Sequence, residues 1–309
     1  MASEVRDSLQ LYIAFQLTEL EGCLPLVSAA DQEAVHNARL ALRRIRSVAS
    51  LFESCLPPIP PGTRDDIRWL ARSLGRARDE YVLARRMNVW LDAAADWLSP
   101  DALRRQVAAV FASSGRLSTS VGNSPRAKST IDSTARAFFP ERAPGQKLPK
   151  PSVPEAVMLL QAGWGTVQEN LALALAADPG MPRHELLHRA RKDIKALRFS
   201  LEAITGPVGP ASATVLGPAA ALQRVLGEHH DSVAALVWVA SLSGRPGIAD
   251  EDVAKLTALE NRRLSEAEAA LREAVRLSPI PRPVALLEAQ EASGTLAAEE
   301  APGQSYLAM

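Results

Sequence analysis

The chain has 309 residues, with 35 Lys plus Arg balanced by 35 Asp plus Glu, and is 47% hydrophobic but only 5% aromatic. A net charge of zero excludes a globally basic nucleic-acid binder while leaving room for a local basic site. Apolar content dominated by Ala, Leu and Val favours helices over strands.

Helical periodicity, broken by proline and glycine, predicts a first helix over about Ser3 to Glu21 and a second over Asp31 to Ser54, stopped by a proline cluster. A third is expected from Thr63 to Leu98 and a fourth from Asp101 to Ser113. Ser, Thr, Pro and Gly then become frequent, and residues 116–153 read as a linker with a short helix near Thr130 to Phe138. Helical signal resumes over Pro154 to Ala177, Arg183 to Ile204, Ser212 to Ser243 and Asp250 to Leu277. Residues 279–309 read as a mobile tail. The expected organisation is therefore all-α: two bundles of similar build at 1–115 and 154–278, four helices each.

Cys23 and Cys55 lack metal-ligand spacing, so reduced thiols and no metal site are expected. The N-terminus lacks a signal-peptide pattern, and no apolar run approaches the roughly 20 residues of a membrane span. A soluble, cytoplasmic protein is expected, with no cofactor.

An internal repeat is the strongest signal. Displaced by 152 residues, His36 falls on His188, Arg39 on Arg191, Arg43 on Lys195 and Arg46 on Arg198. The same ungapped register matches Arg72 to Arg224, and Leu74, Gly75 and Asp79 to Leu226, Gly227 and Asp231. On a helix, His36, Arg39, Arg43 and Arg46 share a stripe about 80° wide that borders the apolar face; His188, Arg191, Lys195 and Arg198 repeat it. Like charges at such spacing repel, and no acid interrupts residues 34–51. A multivalent anion gripped through charge-assisted guanidinium bonds relieves the repulsion. Two such helices, related by duplication, are expected to face each other across one central basic cavity. The mid-helix Gly75 and Gly227 suggest close approach of another helix, and Asp79 and Asp231 are candidates to hold a stripe arginine.

HNARLALRRIRS at His36 to Ser47 with LARSLGRARDEYVL at Leu70 to Leu83, and LHRARKDIKALRFSLE at Leu187 to Glu202 with LQRVLGEHHDSVAAL at Leu222 to Leu236, resemble the two halves of a CHAD domain, the conserved histidine α-helical domain. Phe199 and His230 stand where tyrosine and glutamine are common in that family. The resemblance implies two pseudo-symmetric four-helix bundles around a basic cavity, inorganic polyphosphate as ligand and association with polyphosphate granules. The ExExK signature of the CYTH domain that often accompanies a CHAD domain is absent, so a stand-alone member is expected, and with no GxxxxGK or HExxH motif no catalytic residues are expected. It adds Arg44 and Lys192 to the ligand-facing candidates, and Arg72 and Arg224 from the partner helices.

Two other readings stand beside it. His184 and His188, with His229 and His230 before Asp231, form the raw material of a metal-dependent phosphohydrolase. A general nucleic-acid module also uses cationic stripes, although these lack interleaved aromatics for base stacking.

Overall fold

The computed structural model describes residues 4–93, 100–140, 150–277 and 282–289, and among these every regular element is helical. In chain order they are α1 (Glu4–Ser28), α2 (Gln32–Leu51), α3 (Pro61–Ala93), α4 (Pro100–Gly122), α5 (Pro125–Phe138), α6 (Val153–Ala176), α7 (Met181–Glu202), the short α8 (Thr205–Val208), α9 (Ala213–Ala240) and α10 (Asp250–Leu277). Single 3-10 turns lie at Glu53–Cys55 and Pro210–Ser212. No helix among the described residues is long and apolar enough to cross a membrane.

Local chemistry sets several boundaries. Asp31 caps α2 by accepting the Ala34 backbone N–H at 2.7 Å. Ser152 and Glu155 form a capping box on α6, with proline in its first turn. Gly180 precedes α7 with φ 134°, a backbone conformation that suits glycine.

In the first half α1 packs on α2, α2 on α3, α3 on α4 and α4 back on α1, closing a ring of four. The second half pairs α6 with α7, α7 with α9, and α9 with α10. The halves meet where α2 packs directly on α7. One apolar cluster runs through both halves, from Leu9 and Leu42 to Leu160 and Ile194. A second joins the end of α3 (Met87, Trp90) and the start of α4 (Leu103) to α9 (Val239) and α10 (Leu256). Neither half has a core of its own.

The linker expected at 116–153 is a misreading over its first part. Helix α4 runs on to Gly122, and α5 packs against α1 and α3. Ala127, Ile131 and Phe138 of α5 are in the core, and Arg126 ties α5 to α3 by bonding Asp66 at 2.8 Å and lying 4.5 Å over the Trp69 ring. The hydroxyls that suggested a linker are satisfied within the helix: Thr130 Oγ1 donates to the Arg126 carbonyl and Thr134 Oγ1 to that of Thr130. The tail reading also needs correction, because residues 285–289 are helical and Leu286 is buried in the larger core cluster. Residues 141–149, 278–281 and 290–309, which carry the rest of the linker and tail expectations, lie outside the described residues.

Candidate functional site: a cationic cavity between two helices of the repeat

Helices α2 and α7 turn their basic stripes toward each other. Between them and α3 lies a cavity of about 710 Å³. Its described lining includes Arg39, Arg43 and Arg46 from α2, and His188, Arg191, Lys192 and Lys195 from α7. Helix α3 adds Arg64, Arg68, Arg72 and Arg76, and α9 contributes His230. Ten Lys and Arg side chains thus surround the cavity, against two carboxylates, Asp79 and Asp193.

Each motif arginine lies across the glycine of its partner helix in the same way. The Nε of Arg39 lies 3.9 Å from where a Cβ of Gly75 would sit, and that of Arg191 is 4.0 Å from the corresponding point on Gly227. The Arg39 guanidinium pairs with Asp79 at 2.8 Å, and Arg191 feels the field of Asp231. Both Nε atoms are buried without a hydrogen-bond partner among the described residues. A buried donor left unmade is costly, and these two stand at equivalent positions on one cavity. Asp79 therefore plays the holding part expected of it. The close helix approach expected at Gly75 and Gly227 is absent: a methyl group at either position would meet only the motif arginine, at ordinary van der Waals distance.

Crowding of like charge is visible in the proton affinities. Burial, then Arg39 and Arg191, pulls the Arg43 guanidinium down to about 10. Burial, then Arg191, Arg43 and Arg39, pulls the Lys195 ammonium down to about 7. Arg46 is lowered by burial and by Arg68 and Arg72. Among the described residues, Arg43, Arg46, Arg191, Lys192 and Lys195 make no ion pair to relieve this.

Of the twelve residues singled out in the sequence, eight line the cavity: Arg39, Arg43, Arg46, Arg72, His188, Arg191, Lys192 and Lys195. Four do not. Arg198 is captured one turn on by Glu202 at 3.1 Å; one repeat earlier that position is Ser50, so Arg46 stays free for the cavity. Arg44 also turns to Glu202, at 3.7 Å, and both guanidiniums lie over the Phe199 ring. Tyr12 donates its hydroxyl to the same carboxylate at 3.2 Å, making a knot that ties α1, α2 and α7. His36 sits beside Arg78 outside the lining, and Arg224 is exposed on α9.

The lining residues that sequence comparison overlooked are Arg64, Arg68 and Arg76. With Arg72 they form a row at i, i+4 along α3, a helical stripe in plain view. The row escapes a search for repeated residues because its counterparts on α9 are Leu216, Ala220, Arg224 and Glu228. The cavity is accordingly skewed toward α3, not centred between equal halves.

The second half instead carries paired histidines. His188 and His230 stand Nδ1 to Nδ1 at 3.2 Å on the cavity wall. His184 Nδ1 and His229 Nε2 stand at 3.3 Å behind it. Burial depresses all four, pulling His229 to about 4 and His230 to about 3. Asp231 does not join either pair as a close partner; burial raises its pKa while Arg191 and Arg86 oppose the shift.

Comparison with known proteins agrees with this fold. No curated protein matches the chain. The CHAD domain from the plant Ricinus communis is similar in structure with a TM-score of 0.69 at 23% identity, covering 90% of this chain and 94% of that one. PptA from Streptomyces chartreusis is similar with a TM-score of 0.68 at 20% identity, covering 88% of this chain and 99% of the other. The sequence model of the CHAD domain matches residues 11–240, which hold both basic helices and their glycine-bearing partners, so the chain belongs to the CHAD domain family.

Proposed function

We propose that the cavity binds inorganic polyphosphate, as a binding module without turnover. The observation that carries the reading is the ring of ten Lys and Arg side chains against two carboxylates, with the buried Nε atoms of Arg39 and Arg191 within it. The α3 row from Arg64 to Arg76 extends for about 18 Å at helical rise. A charged track of that length suits a linear chain of phosphates better than a single phosphate group. Arginine supplies planar, bidentate donors to successive phosphate oxygens. A base-stacking role is disfavoured, because Phe199, the one Phe, Tyr or Trp ring in the described lining, lies under the Arg44 and Arg198 guanidiniums. On this reading the protein collects on polyphosphate granules within the cytoplasm.

Titration with polyphosphates of defined length tests it. Affinity should rise with chain length until the track is filled, and fall steeply with salt as ion pairing releases counterions. Replacing Arg39, Arg43, Arg191 and Lys195 together with glutamine should abolish binding and leave the helical circular-dichroism signal in place. Undiminished affinity in that variant would sink the proposal. Hydrolysis assays with and without divalent metal should show no turnover, and a single-stranded nucleic acid should compete poorly.

A further inference from the structure

Behind the cavity wall, three helices of the second half bring metal-ligating atoms together. His184 stands in the first turn of α7, His229 on α9 and Glu268 on α10. The Nδ1 of His184 is 3.3 Å from the Nε2 of His229, which is 3.9 Å from Oε1 of Glu268, and the ligand atoms of all three lie within 4.8 Å of one another. His229 is 1% exposed. None of the three lines the anion cavity.

Tetrahedral zinc with ligands at about 2.0–2.1 Å sets neighbouring ligand atoms roughly 3.3–3.4 Å apart. The two imidazole nitrogens already stand at that spacing, and the carboxylate reaches it by closing about 0.5 Å toward His229 and up to about 1.5 Å toward His184. The carboxylate is also oriented for the part. Its other oxygen, Oε2, is held by Arg183 at 3.4 Å and faces Arg272 at 3.8 Å, which leaves Oε1 toward His229. Arg183 is itself anchored on the Ala177 carbonyl. Outer contacts of this kind fix a metal-binding carboxylate in place. Packing alone does not call for the histidines: one repeat earlier, the equivalent positions are Gln32 and Ala77.

We propose that His184, His229 and Glu268 bind one zinc ion that clamps α7, α9 and α10, with water in the fourth position. Two imidazoles and a carboxylate are a donor set suited to zinc, and three protein ligands leave that position open. The site is independent of the polyanion reading and is not part of the duplicated motif.

The test uses the full chain without a histidine tag, stripped of metal by a chelator and kept free of polyphosphate. Calorimetric titration with Zn²⁺ should give one ion per chain. Co²⁺ should give the intense visible bands of a tetrahedral site, without a thiolate charge-transfer band. The melting temperature should climb with free Zn²⁺, because the ion binds the folded chain. His184→Gln and Glu268→Gln, each checked for helicity, should weaken Zn²⁺ binding tenfold or more, whereas His188→Gln should leave it unchanged. No saturable binding to the parent chain overturns the proposal. So does equal affinity in His184→Gln and Glu268→Gln, loss on His188→Gln, or a thiolate band from Cys23 or Cys55.

Discussion

Lys195 is the side chain whose chemistry the cavity alters most usefully. Its pKa drops from the ordinary 10.5 to about 7, through burial first and then repulsion from Arg191, Arg43 and Arg39, with Asp231 opposing. A bound polyanion reverses that repulsion and restores the ammonium, so binding takes up a proton wherever the free lysine is neutral. Affinity for long polyphosphate should therefore be flat below about pH 7 and fall as pH rises above it. His188 and His230, also on the cavity wall, are held below their ordinary range and stay neutral in that window. Burial and neighbouring cations depress the imidazoles of His36 and His188 as well, so the pH sensitivity of the site near neutrality rests with Lys195. A Lys195→Gln variant should bind more weakly at pH 6 and lose the decline at higher pH; an unchanged slope in a binding titration would contradict this. The sign reverses for folding without ligand. Between about pH 7 and 10.5 the unfolded chain holds more protons than the folded one, so stability should rise with pH across that range.

At the scale of the helix, the repeated glycines and the unrepeated ones do different work. Gly75 and Gly227 sit mid-helix where an added methyl would touch only the arginine lying across them. Alanine there should raise the unfolding free energy by about 0.5–1 kcal/mol, measured by denaturant titration. Gly122, at the end of α4, is the opposite case, because a Cβ there would collide with the backbone of Ser28 at the end of α1. Gly122→Ala should lower stability in the same assay. Helix α5 makes a related point about reading elements from composition. Its apolar positions recur at helical spacing, but Ser, Thr and Pro mask them, and only packing against α1 and α3 turns the weak signal into a core helix.

For the whole molecule, the two halves are bound by more than the α2–α7 contact. Arg86 of α3 reaches across to the fully buried Glu260 of α10 at 2.8 Å and to Ser232 of α9 at 2.8 Å. Removing one partner of a buried ion pair strands the other charge. Arg86→Ala should cost about 3 kcal/mol, toward the low end of that effect because Arg263 still pairs with Glu260 at 3.0 Å. With both core clusters crossing between the halves, heat should unfold the chain in a single transition whose calorimetric and van't Hoff enthalpies agree. Two resolved transitions would show the halves to be independent units.

The order of the main helices, the basic stripes of α2 and α7 and their placement beside the apolar face were legible in the chain itself. They are consequences of local periodicity and of a 152-residue register, and both are properties of one dimension. Which cations face the cavity was decided by side chains distant in sequence or absent from one repeat. Glu202 withdraws Arg198 and Arg44, Ser50 leaves Arg46 free, and the Arg64 to Arg76 row joins from a helix whose counterpart carries no such row. The convergence of His184, His229 and Glu268 lay still further from reach, because three separate helices contribute one ligand each. Charge and periodicity act along the chain, whereas pairing, burial and ligand geometry act across it, and only the packed helices bring those partners within a few ångströms.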